Sequence, residues 1–178
     1  MDNVSSFWSN IFKKEKKEHY NIYKVLKNVP LFQDLDRGEL KSVERILHHR
    51  EYDADEIIIK EGDIGLGMYI IESGMVYITA GKENKLLAVL SKGDFFGEIA
   101  LLLEMPRTAN AIAHKPTKLL GFFEPELMDL LEKHPKTGNK ILFRLASMIA
   151  ERLRQGTLEN RELRLKLEEL EKKDKTEE

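Results

Sequence analysis

The chain has 178 residues and a formal net charge of −2 at neutral pH, and it contains no cysteine. This length suits one well-buried domain with appended segments, and the small net charge gives no general electrostatic reason to expect nucleic acid binding. The absence of cysteine excludes disulfides, thiolate zinc sites and iron–sulfur clusters, and since no apolar run reaches the roughly 18 residues that span a bilayer, we expect a cytoplasmic location.

The N-terminal residues 1–24 are predicted to be an appendage to the main domain. A helix here would have an aromatic and aliphatic face followed at once by a lysine-rich run. Such a face is typical of a helix that lies on an anionic membrane surface, which would bring residues 1–18 into weak contact with it. The same face can instead dock on the protein's own core or on a partner chain. Its members are Phe7, Trp8, Ile11 and Phe12.

Two helices are predicted before residue 50. Apolar residues over 20–29 recur at helical spacing, and Pro30 ends that helix. Asp36 is a suitable N-cap for a second helix over 37–48. The apolar face of that second helix consists of Leu40, Val43, Ile46 and Leu47.

Residues 51–123 show short β-rich runs separated by turn signals. Strands at intervals of about 8–12 residues with glycine turns are typical of an antiparallel barrel or a two-sheet jelly roll. We therefore predict an α+β, mainly β fold: an antiparallel β-roll or jelly roll flanked by N-terminal helices and a long C-terminal helix, with the domain covering 25–135. The predicted strands are 56–60, 68–72, 76–80, 86–90, 109–114 and 118–123.

The segment Gly97–Ala109 interrupts this strand rhythm with a helix-like insert that contains one carboxylate, Glu98, and one guanidinium, Arg107. Backbone amides that follow Gly97 at the start of such an insert become free to face an anion. A guanidinium offers a planar fork of donors suited to phosphate, whereas a carboxylate accepts hydrogen bonds from sugar hydroxyls. Phosphate and a ribose hydroxyl together describe a nucleotide, so the segment predicts a small-ligand site.

After Pro125 the pattern is helical: a short helix containing Leu127, Leu130 and Leu131 precedes a long helix over 136–174, and 175–178 form a tail. In the long helix, apolar residues recur in a heptad frame that is typical of a coiled coil. One core position is occupied by Ala146, Leu153, Asn160 and Leu167, and the other by Ile149, Gly156, Leu163 and Leu170.

The residues that flank this seam favour a parallel homodimer. Glu159 would face Arg164 of the partner helix, and Lys166 would face Glu171, so both pairs attract. A polar residue at a core position, here Asn160, fixes register in a two-stranded coil. The alternative is a helix that folds back on its own domain.

The segment Phe96-Gly-Glu-Ile-Ala-Leu, followed after four residues by Pro106-Arg-Thr-Ala, resembles the phosphate-binding cassette of the cyclic nucleotide-binding domain family. The resemblance includes Glu61-Gly-Asp-Ile-Gly-Leu-Gly-Met-Tyr-Ile-Ile-Glu-Ser-Gly-Met-Val and Pro30-Leu-Phe-Gln-Asp-Leu, and it covers about residues 25–157. It implies a protein that binds a cyclic mononucleotide, cAMP or cGMP, without a cofactor or a metal.

Carried to the matching positions, the resemblance implies that Glu98 accepts a hydrogen bond from the ribose 2′-hydroxyl and that Arg107 pairs with the cyclic phosphate. Gly97 would allow close backbone approach, and the amides of Ala100 and Thr108 would face the phosphate.

Two residues depart from the family pattern without removing a required group. Glu104 adds a second carboxylate near the phosphate loop, and Asn110 stands where β-branched or small hydroxyl residues are common.

The identity of the base stays open. Thr108 is suited to hydrogen bonding with the guanine 2-amino group, while the resemblance also implies that a polar residue of the long helix, here Thr157, meets the adenine. Gly156 either makes room for the purine or marks a bend where the domain meets the coil. The predicted ligand-binding residues are therefore Gly97, Glu98, Ile99, Ala100, Arg107, Thr108, Ala109 and Thr157, none of them catalytic.

No group of residues in the sequence predicts an enzyme. No metal site is predicted either, since the adjacent histidines His48 and His49 point to different faces.

The favoured hypothesis is a stand-alone sensor in which ligand binding rearranges a dimer helix and signals to an unknown protein partner. One alternative is a ligand-free dimeric scaffold or adaptor in which Glu98 and Arg107 form a structural ion pair. Another is a protein like a transcription regulator but without its own DNA-binding domain, because no recognition helix fits the residues after Gly156 and we expect no direct DNA binding.

Overall fold

A computed structural model describes residues 22–174 of the chain, with side chains up to residue 168. The predicted aromatic face at Phe7, Trp8, Ile11 and Phe12 lies outside the described residues, as does the tail 175–178. Within the described range, the chain forms N-terminal helices, a β-roll and two C-terminal helices in that order.

The N-terminal helices form as the sequence predicts up to Glu44. Helix α1 covers 22–28 of the described residues, a 3-10 turn follows at Pro30–Phe32, and α2 is Arg37–Glu44. The predicted N-cap is confirmed, because the Asp36 carboxylate accepts a hydrogen bond from the Glu39 N–H at 2.9 Å. The Glu39 carboxylate in turn accepts from the Asp36 N–H at 2.8 Å, which completes a capping box.

The prediction that this second helix continues to residue 48 is wrong, because His48–Tyr52 form strand β1. This strand pairs with β8, Thr117–Phe123, in an antiparallel register that runs from His48 opposite Gly121 to Tyr52 opposite Thr117. The apolar spacing of residues 37–48 is compatible with a helix, but pairing with a strand some 70 residues later in the chain overrides local propensity.

The strands between these two agree closely with the sequence prediction. All six predicted strands are present, and only β1 and the two-residue β6 were not expected. Their bounds are β2 Ile57–Ile59, β3 Gly67–Ser73, β4 Met75–Ala80, β5 Lys85–Ser91, β6 Phe95–Phe96 and β7 Asn110–Ala113.

The strands form two four-stranded antiparallel sheets, in the orders β1-β8-β3-β6 and β2-β7-β4-β5. Buried apolar side chains from both sheets, including Ile71, Val76 and Leu119, form one core. The N-terminal helical layer packs on the first sheet, where the rings of Phe32 and Phe122 meet edge to face at 6.1 Å. The predicted α+β, mainly β jelly-roll architecture is confirmed.

Two helices follow the β-roll: α3 is Glu124–Lys133 and α4 is Pro135–Asp174. The described chain divides into two compact units, the first ending at Ile141 and the second beginning at Leu142, within α4. The second unit is therefore the helical segment that carries the predicted heptads. No helix within residues 22–174 combines the length and apolar character needed to cross a membrane.

Candidate nucleotide site

The predicted insert is a short 3-10 turn, Glu98–Leu101, between β6 and β7. Gly97 precedes it with φ +79°, a left-handed conformation that glycine adopts without steric cost. This geometry turns the chain so that Glu98 is buried, with 4% of its surface exposed, while Ile99 is 44% exposed. Ala100 is buried as well.

Arg107 lies half-buried beside this turn, and backbone carbonyls hold its guanidinium. Its Nη1 donates to the Gly97 carbonyl at 3.0 Å, and its Nη2 donates to the Gly67 carbonyl at 2.7 Å. A guanidinium carries five N–H donors, so these two bonds leave donors for an anion. The position of the side chain is thereby fixed by backbone from two separate parts of the chain.

The electrostatic environment of Arg107 combines burial with nearby groups that favour its charge. Burial lowers the pKa of the Arg107 guanidinium, while the Tyr69 hydroxyl and the Glu98 carboxylate act in the opposite direction. An arginine keeps its proton at neutral pH in such a setting. The site thus has a fixed positive charge of reduced hydration, for which an anion is a favourable partner.

Glycines create the room that the guanidinium occupies. A Cβ at Gly65 would lie 2.5 Å from Arg107 Nε, and a Cβ at Gly97 would lie 2.6 Å from Arg107 Nη1. Both distances are shorter than van der Waals contact permits. Gly65 and Gly97 therefore form two walls of a slot that any larger residue would close.

Gly65 and Gly67 adjoin the Arg107 guanidinium, and the sequence prediction did not include them among the site residues. They belong to the loop and strand start that precede Met68, far in sequence from Arg107. The signal was present, since both glycines fall in the glycine-rich segment that carries the family resemblance. Without the fold, nothing in that segment indicates which glycine contacts the guanidinium.

The remaining predicted residues occupy different settings. The Ala100 N–H donates to the Gly97 carbonyl at 3.2 Å, so this bond must open if the amide is to bind a phosphate. Thr108 is exposed and Ala109 is half-buried. Thr157 belongs to the second unit, where its hydroxyl donates to the Leu153 carbonyl at 2.8 Å. The structure thus brings Gly97–Ala100 together with Arg107.

Exposed apolar side chains neighbour the site residues along the chain. Ile64, whose backbone forms a bridge with Pro106, is 57% exposed, and Leu66 between the two site glycines is 55% exposed. Ile99 and Met105 add further exposed apolar surface. A site that joins a buried charge with an apolar rim suits a ligand that has an anionic group and a flat apolar one.

Comparison with known proteins identifies this arrangement. Residues 49–134 match the family model for the cyclic nucleotide-binding domain. The cyclic AMP receptor protein of Thermus thermophilus is 33% identical over 137 residues, which are 75% of this chain and 62% of that protein. The regulatory subunit of the cAMP-dependent protein kinase of Schizosaccharomyces pombe is 32% identical over 127 residues, 71% of this chain and 31% of that protein.

Solved structures agree with these sequence matches. The crystal structure of the Thermus thermophilus catabolite activator protein superposes with a TM-score of 0.68 at 32% identity, covering 75% of this chain and 62% of that one. Residues 49–134 therefore form a cyclic nucleotide-binding domain, related to those of the catabolite activator protein and the kinase regulatory subunits. The match spans less than two thirds of either curated relative, so it concerns the domain and not their whole activities.

Proposed function

We propose that this chain is a cytoplasmic sensor that binds a cyclic mononucleotide, cAMP or cGMP, and has no catalytic activity of its own. Arg107 would bind the cyclic phosphate, and Glu98 would accept a hydrogen bond from the ribose 2′-hydroxyl. The observation that carries the proposal is the presence, in one site, of a half-buried guanidinium and a carboxylate that is 4% exposed. The names of the relatives, a cyclic AMP receptor protein and a cAMP-dependent kinase regulatory subunit, support the class of ligand.

The remaining predicted residues complete this proposal. Gly97 would admit the phosphate close to the backbone, with the amides of Ala100 and Thr108 directed toward it. Ile99 and Ala109 would border the ligand, and the purine would pack against the exposed apolar rim. Thr157 would contact the base, whose identity as adenine or guanine is the open part of the proposal.

A continuous set of hydrogen bonds supports coupling between the site and α3. Arg107 Nη2 binds the Gly67 carbonyl, and the adjacent carbonyl of Leu66 accepts from the N–H of Glu124, the first residue of α3, at 3.1 Å. A phosphate bound by the Arg107 guanidinium would change the hydrogen bond that this side chain makes with the Gly67 carbonyl, and through the loop the contact with the start of α3. Such a ligand shifts the equilibrium between two states only by its difference in affinity for them.

The proposed output is the second half of α4. Leu153, Leu163 and Leu167, which the heptad frame assigns to the seam, are all more than half exposed in the single chain. Pairing with a second copy would bury them, giving a parallel homodimer whose coil reports the ligand state to a protein partner.

The decisive variant is Arg107→Ala. We expect it to abolish measurable binding of cAMP and cGMP in isothermal titration calorimetry, since the phosphate loses its fixed positive partner. Arg50→Ala is the matched control, because Arg50 is exposed and its Nη1 only donates to the carbonyl of neighbouring His49. Equal affinity in the wild type and Arg107→Ala would refute the assignment.

The second candidate function is a ligand-free scaffold. It is favoured by the two backbone carbonyls that accept from the Arg107 guanidinium, as they would for a structural arginine. A thermal-shift panel of cAMP, cGMP and cyclic dinucleotides separates the two. A sensor gains stability as the ratio of ligand concentration to Kd rises, whereas a scaffold melts at one temperature throughout.

A further inference from the structure

The loop that carries Gly65 is fastened to the arginine segment by a short run of backbone hydrogen bonds. The Arg107 N–H donates to the Asp63 carbonyl at 2.8 Å, and the Arg107 carbonyl accepts from the Gly62 N–H at 2.9 Å. The Gly65 N–H donates to the Met105 carbonyl at 3.2 Å. Loop 61–65 and segment 105–107 therefore behave like two paired strands that lie outside the sheets.

A side chain continues this pairing where the backbone bonds end. The Asn110 Oδ1 accepts from the Glu61 N–H at 2.8 Å, and the Asn110 Nδ2 donates to the Asn84 Oδ1 at 3.3 Å. The Glu61 carboxylate also accepts from the Gly81 N–H at 2.9 Å. The Asn110 amide thus joins three segments: the loop at 61–65, the β4–β5 turn at 81–84 and the start of β7.

This connection matters because loop 61–65 forms one wall of the guanidinium slot. A Cβ at Gly65 would lie 2.6 Å from Arg107 Cζ, so the loop backbone is in close contact with the group that is proposed to bind the phosphate. A small outward movement of the loop would widen the slot and let the guanidinium rotate. Fixed donors bind an anion better than mobile ones because less freedom is lost on binding.

We propose that Asn110 is a positioning residue for Arg107: its amide fastens loop 61–65 so that the guanidinium is held in its binding orientation before the ligand arrives. The proposal rests on the function proposed above and deepens it by assigning a role to a residue that departs from the family pattern. Asn110 does not contact the ligand. It acts through the loop on the arginine.

The alternative is that Asn110 only satisfies the Glu61 N–H. These hydrogen bonds lie at the surface, where water can replace a lost partner, so a purely local role predicts a small effect on stability and none on binding. A positioning role predicts the same small change in melting temperature together with a clear loss of affinity. The two roles therefore differ in the expected effect on affinity and not in the expected effect on stability.

The first arm of the test is amide hydrogen exchange on the full, ligand-free chain. Asn110→Leu removes both hydrogen bonds at nearly constant side-chain size, and we expect exchange at Gly62, Gly65 and Arg107 to accelerate by about tenfold through local opening. Asn110→Asp keeps the acceptor for the Glu61 N–H and should preserve protection at these amides. Acceleration confined to Glu61 would overturn the proposal. Asn110→Ala removes the same bonds without an exposed apolar side chain and replaces Asn110→Leu if that variant does not fold.

The second arm measures affinity for cAMP and cGMP by calorimetry. We expect Asn110→Leu to weaken binding by about tenfold, which is about 1.4 kcal/mol. The control variant Asn139→Leu changes an exposed asparagine of α4 and should leave the affinity unchanged.

In a double-mutant cycle with Arg107→Lys, the two losses should be less than additive, because both act through the same guanidinium position. Full additivity, or unchanged affinity, would overturn the proposal. If the wild type binds no cyclic nucleotide, the proposed function fails, while the exchange arm still decides whether Asn110 positions Arg107.

Discussion

At the scale of single residues, the site depends on two glycines, Gly97 and Gly65, whose missing Cβ atoms leave room for the Arg107 guanidinium. Gly97 combines a left-handed backbone with a carbonyl that accepts from Arg107 and a missing Cβ that would displace the same side chain. Gly65 has no left-handed backbone; it contributes the missing Cβ, and its N–H donates to the Met105 carbonyl. Replacing Gly97 would therefore incur two separate costs, backbone strain and loss of the arginine position, whereas most glycines incur only one.

The comparison of Gly97→Ala with Gly93→Ala separates these costs. Gly93 has a similar φ of +90°, but a Cβ there would meet nothing within 4 Å. We expect both variants to lose about 1–2 kcal/mol of unfolding free energy in urea denaturation through left-handed strain. Only Gly97→Ala should also lose affinity for the cyclic nucleotide. A Gly93→Ala variant that lost affinity to the same extent would contradict this explanation.

The sequence predicts those residues of the candidate site that lie together in one segment of the chain. It does not predict the residues that other segments bring to the site. Glu98 and Arg107 were predictable because both lie in one segment whose chemistry already indicates phosphate and ribose. Gly67 was not, since its role is to present a carbonyl to Arg107 from a different strand. Asn110 departs from the family pattern, but its contact with Glu61 arises only when loop 61–65 folds against segment 105–107.

At the scale of elements, strand positions were predicted better than helix ends. Strands β2 to β5, β7 and β8 each lie next to at least one turn that contains glycine or proline, and these local signals help to set their ends. Strand β1 lacks such a boundary, because Leu47 leads directly from the turn after α2 into His48. Its strand character depends on pairing with β8, which local periodicity does not report.

The role of Gly156 in helix α4 can be tested by substitution. It lies within the continuous helix α4, and a Cβ there would meet nothing within 4 Å. We expect Gly156→Ala to raise stability by about 1 kcal/mol through helix propensity, measured by thermal unfolding. Ala150→Gly, at an exposed position of the same helix, should lower stability by a similar amount.

The affinity of Gly156→Ala then decides between the two interpretations of this glycine. Weaker binding of cAMP or cGMP would favour a glycine that makes room for the purine. Unchanged binding would favour the other interpretation, a bend in the helix where the domain meets the coil. A loss of stability in Gly156→Ala would contradict the expected helix propensity effect itself.

At the scale of the whole molecule, the proposed coiled coil forms only if the helical second unit pairs with another copy. The heptad frame places Leu163 in the seam and Leu165 outside it, although the two side chains are 58% and 53% exposed in the single chain. We expect Leu163→Lys to shift the protein toward monomer in sedimentation equilibrium, because a buried lysine in the seam lacks a partner. Leu165→Lys is the matched control and should leave the dimer intact. A monomeric wild type, or equal effects of both substitutions, would contradict the proposed coil.

We propose that Glu98 and Arg107 together bind a cyclic ribonucleotide, and the decisive measurement is calorimetric titration of the wild type. The ligands are cAMP, cGMP and 2′-deoxy-cAMP. We expect measurable binding of at least one ribonucleotide. We also expect 2′-deoxy-cAMP to bind at least about tenfold more weakly than cAMP, because the buried Glu98 carboxylate loses a charged hydrogen bond. Absence of binding, or equal affinity for cAMP and its 2′-deoxy analogue, would contradict it.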